Sequence, residues 1–399
     1  MYIQRTTEKL LPGILATFPC LAVTGPRQSG KSTLLRHALP EYRYVTLDDP
    51  AVLAQANADP VYFLDTLGER CIIDEIQQAP GILSYVKMRV DADRSRNGRF
   101  VFTGSQQFGM IRNLGDSLAG RIALLDLLPF AVDELQLVSP IETGQELFVN
   151  ACLKGSYPQL ALTPDIDHRL WYASYIQTYL ERDIRSLYDI GSLREFHSFM
   201  QLLAVRCSQM LNMSSFATDL GVSVPTIKRW LSVLEAGRII YLLPPQCNNL
   251  GKRITKMPKI YFLDTGLACH LAGVRSREQV LEGNMAGALF ENFCIQETVK
   301  CYANRGEQPR ISYLRTNNGL EVDLIIECSN QRPLPVEIKL SKTPTPALAS
   351  GLSRYASLFA RANPEDGLLL CLADGATPLA RGVATIGAKD FLDHLPDRI

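Results

Sequence analysis

The chain has 399 residues, enough for two or three domains, and its 41 Lys and Arg residues balance its 41 Asp and Glu residues. This balance excludes a global positive field that would draw the protein to nucleic acid, so any DNA contact must come from a local basic patch. The ten cysteines include no Cys-x-x-Cys pair, which argues for reduced thiols and against a zinc site. Because there is neither a signal-peptide core nor a long apolar run, we expect a cytoplasmic protein with no membrane partner.

The first predicted strand, residues 20–24, leads into a glycine-rich loop and then a helix. The loop fits the pattern G-x-x-x-x-G-K-S and continues into Thr33; its residues are Gly25, Pro26, Arg27, Gln28, Ser29, Gly30, Lys31 and Ser32. In this setting backbone N–H groups and a helix N-terminus surround phosphate oxygens. Lys31 is expected to reach the β- and γ-phosphates, and the Ser32 hydroxyl to ligate Mg²⁺. The motif predicts a site for ATP and Mg²⁺ rather than a tight turn with an incidental lysine.

A second acidic site decides whether the bound nucleotide is hydrolysed. Residues 70–75 read as a buried strand that ends in Asp74 and Glu75. Asp74 is expected to hold Mg²⁺ through water and Glu75 to polarise the attacking water, because phosphoryl transfer needs positioning and charge neutralisation more than covalent chemistry. A candidate strand at residues 42–47 separates the two motifs, as in ATPases with an extra strand. The alternative is that the two carboxylates only cap the strand.

Two further strands complete the predicted ATPase sheet, at residues 99–103 and 122–127. Ser105 follows the first of them and is the better candidate than Thr103 for a polar group beside the γ-phosphate. With its intervening helices, residues 1–135 are expected to form a parallel sheet covered on both faces.

An arginine, Arg121, stands at the start of the last of these strands. A residue in this position can be donated to the γ-phosphate of a neighbouring subunit, where it contributes orders of magnitude in rate. The alternative for Arg121 is a surface ion pair, and Arg112 is the reserve candidate for the donated arginine.

Residues 211–231 read as two short helices around a turn at Gly221, with Ser223 as the N-cap of the second helix. This spacing is typical of a helix-turn-helix, whose second helix presents its exposed start to a DNA groove. The side chains expected at that start are Thr226, Lys228 and Arg229.

Two strands at residues 237–243 and 259–262 follow and are typical of a wing. The loop between them holds the densest basic stretch of this region, made of Lys252, Arg253 and Lys256. DNA is therefore a predicted partner. The alternative is that the winged helix packs on the ATPase core as a lid and touches no DNA.

A second group of chemically suited residues lies near the C-terminus. Glu291 lies on a predicted helix, and Asp323 lies on the second strand of a predicted hairpin. A third strand carries Glu337 and Lys339, which a period of two places on one strand face. Two carboxylates that hold Mg²⁺ beside a lysine make a phosphodiester-cleaving site, because the metal lowers the pKa of water and the lysine neutralises the developing charge. The alternatives are salt-bridged strand residues and a nuclease-like fold that has lost its activity.

The chain resembles a family of bacterial and archaeal ATP-binding proteins that pair an N-terminal AAA-type ATPase with a C-terminal domain of unknown function. The resemblance extends to about residue 345, and its carriers are residues 24–33, 47–50, 73–77, 103–107, 117–121, 179–183, 261–267, 289–291, 321–323 and 337–339. The family's C-terminal domain is similar to PD-(D/E)xK nucleases, which implies the roles given above to Asp323, Glu337 and Lys339. Likeness to AAA-type ATPases also implies a homo-oligomer, either a ring such as a hexamer or a filament, in which Arg121 could act on the nucleotide of a neighbouring subunit.

Together these features predict an α/β protein in four parts: a P-loop AAA-type parallel-sheet ATPase core at 1–138, a helical connector at 139–196, a winged helix-turn-helix at 197–264 and a nuclease-like α/β domain at 265–399. The leading functional hypothesis is a Mg²⁺-dependent ATPase coupled to DNA binding and remodelling, as an oligomeric motor on branched or duplex DNA. The alternatives are an ATP-gated DNA nuclease and a non-catalytic, ATP-dependent protein-binding switch. Residues 346–399 carry no functional motif.

Overall fold

The structure is a computed structural model that describes residues 2–104, 118–180, 193–246, 257–316, 319–359 and 366–399. The chain falls into two compact units. The N-terminal unit consists of Met1–Phe130, Ala236–Arg238 and Ala303–Glu307, and the C-terminal unit of Ala131–Glu235, Ile239–Tyr302 and Gln308–Ile399. Among the helices in these described ranges, none combines the length and apolar character needed to cross a membrane.

The N-terminal unit is built on five strands that all run parallel. They are β1 (Cys20–Thr24), β2 (Arg43–Thr46), β3 (Cys71–Asp74), β4 (Phe100–Thr103) and β5 (Ile122–Asp126). Their order in the sheet is β2-β3-β4-β1-β5. In space, β4 therefore lies between β1, which leads into the glycine-rich loop, and β3, which ends in Asp74. Strand β2 is an edge strand. Because the strands are parallel, their carboxyl ends meet at one edge, where ligands bind in such sheets.

Helices cover both faces of this sheet. They are α1 (Leu11–Thr17), α2 (Lys31–Ala38), α3 (Pro50–Ala58), α4 (Pro60–Leu67) and α5 (Ile82–Ala92). Asp49 and Asp59 cap α3 and α4 through their side-chain oxygens, each followed by a proline whose φ already suits a helix. Along β4, Phe100 and Phe102 pack into one buried cluster with α4 and α5, and Val101 packs into the other with α2. This alternation explains why both faces of the short strand are apolar.

The first part of the C-terminal unit is helical. Its helices are α6 (Val132–Gln136), α7 (Gly144–Leu153), α8 (Pro158–Leu162), α9 (His168–Tyr175), α10 (Leu193–Val205), α11 (Met213–Leu220) and α12 (Val224–Ala236). Trp171 and Tyr175 of α9 are buried, with ring centroids stacked 5.1 Å apart. These two aromatic side chains, spaced four residues apart on one helix face, are therefore part of the core.

Helices α11 and α12 are joined by a short turn. Gly221 takes a φ of 67°, the left-handed conformation that glycine adopts without strain at a helix C-terminus. Ser223 accepts the backbone N–H of Thr226 at 3.3 Å and so caps α12 as expected. Beyond α12, β6 (Ile240–Leu243) and β7 (Lys259–Phe262) pair antiparallel.

The last part of the C-terminal unit is a six-stranded mixed sheet with its helices. The strands are β8 (Ile311–Arg315), β9 (Glu321–Glu327), β10 (Pro333–Ile338), β11 (Gly367–Cys371), β12 (Ala376–Ala380) and β13 (Val383–Gly387), in the order β12-β13-β11-β10-β9-β8. The helices are α13 (Thr265–Ala272), α14 (Arg277–Glu282), α15 (Ala286–Asn304), α16 (Ser350–Leu358) and α17 (Ala388–His394). The predicted hairpin is present as β8 and β9, and β10 pairs antiparallel with β9.

Both outer strands of this sheet are irregular or covered. Edge strand β12 contains Pro378, and its register with β13 shifts between Pro378 and Ala380. On the opposite side, Tyr313 of β8 is bridged by Pro245. The α/β fold class predicted from sequence is confirmed: a parallel sheet covered by helices, a helical middle region and a C-terminal mixed-sheet domain.

Candidate functional site

Strand β1 leads into the glycine-rich loop at the carboxyl edge of the sheet. Gly25 takes a φ of 141°, and a Cβ atom there would lie 2.1 Å from the Leu127 carbonyl oxygen, so no larger residue fits. Gly30 has a φ of 93° and immediately precedes α2. The loop thus brings its backbone to the N-terminus of a helix, the arrangement that binds phosphate oxygens.

A buried arginine, Arg5, is hydrogen-bonded to the backbone of this loop. Its guanidinium donates to the carbonyl oxygens of Ser29 at 2.9 Å and Leu128 at 2.8 Å, and it lies 4.8 Å from the centre of the Phe130 ring. Arg5 is only 3% exposed. Sequence reasoning missed this residue because it belongs to no motif and precedes the loop by a helix and a strand.

The Lys31 side chain folds against its own loop. Its Nζ donates to the carbonyl oxygens of Gly25 at 3.0 Å and Pro26 at 2.8 Å. Because ammonium–phosphate hydrogen bonds are stronger than those to a neutral carbonyl, a bound triphosphate would compete for this group. Ser29 Oγ is buried without a hydrogen-bond partner among the described residues, which leaves the loop a second donor. Both features fit a nucleotide phosphate.

Three hydroxyl groups converge on Asp74 at the end of β3. Ser32 Oγ donates to Asp74 Oδ2 at 2.7 Å, and the hydroxyls of Tyr44 and Thr103 donate to the same carboxylate. Burial and the hydrogen bond to Asp74 raise the pKa of Tyr44, so its phenol stays protonated and donates. Ser32 and Asp74 supply oxygen ligands of the kind Mg²⁺ prefers, so these residues fit the ion. Tyr44 was not predicted, because it belongs to the edge strand β2.

Glu75 follows in an uncommon backbone conformation. Its φ of 57° is left-handed, a conformation that is costly for a non-glycine residue and that clusters at functional sites. Burial raises the pKa of its carboxyl, while the charges of Lys31 and Arg27 act in the opposite direction. Gln77 donates to Glu75 through its amide group. A partly buried carboxylate beside the loop lysine is suited to orient a water molecule.

The remaining residues predicted around the nucleotide differ in their exposure to solvent. In the loop, Arg27 and Gln28 are half-buried, and Thr33 is exposed on the first turn of α2. Ser105 and Arg112 lie outside the described residues. Thr103, the other candidate for the polar group beside the γ-phosphate, is the last residue of β4, and its hydroxyl donates to Asp74.

Arg121 lies at the amino end of β5, at the sheet edge opposite the glycine-rich loop. It forms a two-pronged ion pair with Asp91 of α5, with Nε–Oδ1 at 2.9 Å and Nη2–Oδ2 at 3.0 Å. The hydrogen bond from Arg121 lowers the pKa of Asp91. Within the subunit, Arg121 thus forms the ion pair that the sequence analysis gave as the alternative to a donated arginine.

Helix α12 carries the residues predicted to meet DNA. Lys228 and Arg229 are exposed, while the flanking residues Ile227 and Trp230 are buried. Thr226 is half-buried and shares a hydrogen bond with the Ser223 hydroxyl. The predicted basic loop residues Lys252, Arg253 and Lys256 lie outside the described residues.

The C-terminal cluster brings together the residues predicted for a nuclease-like site. Lys339 Nζ lies 3.0 Å from Asp323 Oδ2 and 2.7 Å from Glu337 Oε1. The backbone N–H of Ile338 also donates to Asp323 Oδ2, at 3.1 Å. Glu337 Oε2 is buried without a hydrogen-bond partner among the described residues.

Glu291 joins this cluster through a residue that sequence reasoning missed. Lys259 Nζ lies 3.0 Å from Glu291 Oε1, 3.2 Å from Glu321 Oε1 and 3.5 Å from Asp323 Oδ1. The Tyr261 hydroxyl donates to Glu291 Oε1 at 2.6 Å. The only sequence signal for Lys259 is a charged residue at the start of an otherwise apolar strand.

The charged groups of this cluster lie close enough to shift one another's pKa. Burial raises the pKa of Glu291 and of Glu337 to about 7, against the opposing effect of the nearby lysines. For Lys259, burial acts to lower the pKa, but the carboxylates of Glu291, Asp323 and Glu321 together outweigh burial and raise it. Lys259 therefore stays charged.

Three family models match this chain in succession. Residues 17–136 match an AAA domain, residues 145–278 a domain of unknown function (DUF8612), and residues 286–391 a second domain of unknown function (DUF4143). Two curated relatives are the uncharacterized protein Rv2008c of Mycobacterium tuberculosis and the uncharacterized protein Mb2031c of Mycobacterium bovis. Each is 30% identical over 344 residues, which cover 86% of this chain and 75% of the relative.

Among solved structures, the chain is similar to the Walker-type ATPase PABY2304 of Pyrococcus abyssi. The two are 16% identical, with a TM-score of 0.46, and the match covers 66% of this chain and 94% of the other. At this score the likeness bears on neither ligand nor partner.

Proposed function

Since this chain belongs to the AAA-domain family that includes the mycobacterial proteins Rv2008c and Mb2031c, we propose that it is a Mg²⁺-dependent ATPase that converts ATP to ADP and phosphate. We further propose that the nucleotide cycle is coupled to DNA binding and remodelling by a homo-oligomer acting on branched or duplex DNA. The AAA domain match at residues 17–136 supports the first part. The second part rests on helices α11 and α12, which are joined by a short turn, and on the antiparallel pair β6 and β7 that follows them.

The convergence of Ser32, Asp74 and Glu75 beside Lys31 is the observation that carries the ATPase proposal. Mg²⁺ held by Ser32 and, through water, by Asp74 would neutralise phosphate charge. Lys31 exchanges its loop carbonyl partners for phosphate oxygens and holds the β- and γ-phosphates. Glu75 accepts a hydrogen bond from the attacking water and orients it for in-line attack. Tyr44 and Thr103 fix the Asp74 carboxylate through their hydroxyls.

ATP turnover of purified variants tests this assignment. Lys31→Ala is expected to abolish turnover, and Glu75→Gln to lower it about 100-fold or more with ATP binding retained. Since Glu75 must be ionised to accept the hydrogen bond and burial raises its pKa, wild-type turnover is expected to fall as the pH is lowered through that pKa. Glu69→Gln, which changes an exposed carboxylate of the same unit, is the matched control. Full turnover in Glu75→Gln would contradict the assignment.

The DNA part of the proposal is supported by the first turns of α12. There, Lys228 and Arg229 are exposed above the buried residues Ile227 and Trp230. Cations at the start of a second helix are placed to contact the phosphates and bases of a groove.

ATP turnover with and without duplex, single-stranded and branched DNA tests the coupling. Lys228→Ala/Arg229→Ala is expected to remove the stimulation and to lower the slope of log affinity against log salt by about 2. Lys342→Ala/Arg381→Ala removes the same charge from exposed sites elsewhere and serves as the control. Turnover that no DNA stimulates, with no DNA retained at low salt, would refute the coupling and favour the protein-binding switch.

The convergence of Asp323, Glu337 and Lys339 favours one second candidate, an ATP-gated DNA nuclease. It predicts Mg²⁺-dependent cleavage of the same DNAs, lost in Asp323→Ala. Intact DNA in every reaction, with turnover stimulated, would leave the DNA-remodelling ATPase as the function.

A further inference from the structure

The lysine between the helix and hairpin carboxylates occupies an unusual position for a strand residue. Lys259 has a side chain only 4% exposed, and its ammonium lies within 3.5 Å of carboxylate oxygens of Glu291, Glu321 and Asp323. Its backbone is fixed by pairing with Leu243 of β6 and by a bridge to Met210. The position of the ammonium within the cluster is therefore set by a strand whose backbone is paired on both sides.

An aromatic side chain helps to enclose this ammonium. The ring centre of Tyr313 lies 5.5 Å from Lys259 Nζ, a distance at which the ring face attracts a cation. The Tyr313 hydroxyl donates to the Met257 carbonyl oxygen at 2.6 Å, which ties the ring to the chain just before β7. Carboxylates and a ring thus surround the ammonium, as they would a bound cation.

The same carboxylates do not fit a divalent metal in this arrangement. Mg²⁺ requires several oxygens in near-octahedral positions. Glu291 Oε1 already accepts hydrogen bonds from Lys259 and Tyr261, and both oxygens of Asp323 contact lysine ammonium groups. Within the described part of the chain no group of three or more His, Cys, Asp or Glu side chains is arranged to hold a metal ion. Glu337 Oε2 is buried without a hydrogen-bond partner among the described residues, but a single carboxylate oxygen does not make a metal site.

Because these carboxylates do not fit a divalent metal, we infer that Lys259 is the resident cation of the C-terminal cluster and takes the place of such a metal. Metal-assisted phosphodiester cleavage needs a metal-bound water of lowered pKa, which an ammonium does not supply. The C-terminal domain then keeps the charge balance of a nuclease-like site but does not cleave phosphodiesters. The inference therefore speaks against the ATP-gated nuclease, the second candidate function above, and leaves this domain a binding role. This inference does not depend on ATP hydrolysis.

Binding of Mn²⁺, measured by electron paramagnetic resonance on the full chain without nucleotide, tests the inference. Leaving out the nucleotide suppresses the P-loop metal site, because Mg²⁺-type ions bind there largely through phosphate oxygens. Wild type and Lys259→Arg, which keeps the positive charge, are expected to show no Mn²⁺ site that depends on Asp323. Lys259→Met is expected to gain such a site, with at least a tenfold rise in affinity, and Lys259→Met/Asp323→Asn to lose it again.

Two outcomes would overturn the inference. One is a wild-type Mn²⁺ site, or Mn²⁺-dependent DNA cleavage, that disappears in Asp323→Asn. The other is a folded Lys259→Met protein that gains no Mn²⁺ site, since the lysine would then not be what excludes the metal. If Lys259→Met does not fold, the comparison of wild type with Asp323→Asn decides alone. All these readouts are independent of ATP turnover, so they stand whether or not the chain is an ATPase.

Discussion

Replacing Arg5 by methionine tests how the phosphate loop is held in place. The guanidinium makes two buried hydrogen bonds to carbonyl oxygens of Ser29 and Leu128 and packs on Phe130. A hydrogen bond to a charged group contributes about 1.5–3 kcal/mol, and a cation–aromatic contact about 0.5–2 kcal/mol. These terms overlap, so we expect Arg5→Met to lower the free energy of unfolding of the N-terminal unit by about 4 kcal/mol.

Arg5→Lys is the matched control for this change. It keeps the positive charge but offers a single ammonium in place of a two-pronged fork, so it satisfies one of the two carbonyl oxygens. We expect a loss of about 2 kcal/mol, half that of Arg5→Met. Because a loosened loop is less preorganised, the affinity for ATP is also expected to fall about tenfold in Arg5→Met.

The assay must report on the N-terminal unit alone. Both tryptophans, Trp171 and Trp230, lie in the C-terminal unit, so tryptophan fluorescence does not follow this loop. Hydrogen exchange of peptides that cover β1 and α2, followed by mass spectrometry with and without an ATP analogue, does follow it. If exchange and ATP affinity in Arg5→Met match wild type within about 0.5 kcal/mol, the proposed support of the loop is refuted.

Two further changes test the ion pairs of the two units. Arg121→Ala is expected to cost at most about 1 kcal/mol of stability, because its pair with Asp91 is partly exposed, but to lower turnover about 1000-fold if a neighbouring subunit uses it. Asp91→Asn breaks the same pair and keeps the arginine, so equal losses of turnover in both variants would refute that role. Lys300→Met is expected to destabilise the C-terminal unit by about 3–5 kcal/mol, because it leaves the buried carboxylate of Glu297 without its cation. Burial already raises the pKa of Glu297; loss of Lys300 raises it further, so the folded variant binds a proton more tightly and its deficit shrinks as the pH falls. Urea unfolding of wild type and Lys300→Met at pH 5 and pH 8 measures this pH dependence. A stability loss that is larger at pH 5 than at pH 8 would contradict it.

Sequence alone predicted the strands of the nucleotide site because each is a short apolar run followed by a motif. Strands β1, β3 and β4 are buried along their full length, as strands covered on both faces are. The pairing of β8 and β9 was predicted for a similar reason, since a turn signal separates two such runs. The order of the strands in the sheet could not be predicted from the sequence, because the edge position of β2 depends on pairing between strands that are far apart in the chain.

The residues that sequence reasoning missed have their partners far away in the chain. Arg5 and Leu128 are 123 positions apart, and Lys259 and Asp323 are 64 positions apart. Periodicity relates a residue only to its near neighbours, so it cannot bring these groups together. For the same reason Lys259 was assigned to a wing strand, without its role among the carboxylates. Residues 346–399 carried no motif and form structural elements, β11 to β13 with α16 and α17.

The two outer strands of the C-terminal sheet limit how copies of this chain can associate. An exposed strand edge pairs readily with another chain, but the proline and register shift of β12 break its row of donors and acceptors. The backbone of β8 is occupied at Tyr313, whose N–H donates to the Pro244 carbonyl oxygen at 3.0 Å. Sheet-to-sheet extension is thereby disfavoured on both sides. Growth into fibrous aggregates through this sheet is therefore disfavoured, and copies of the chain that meet at this sheet would do so through side-chain surfaces.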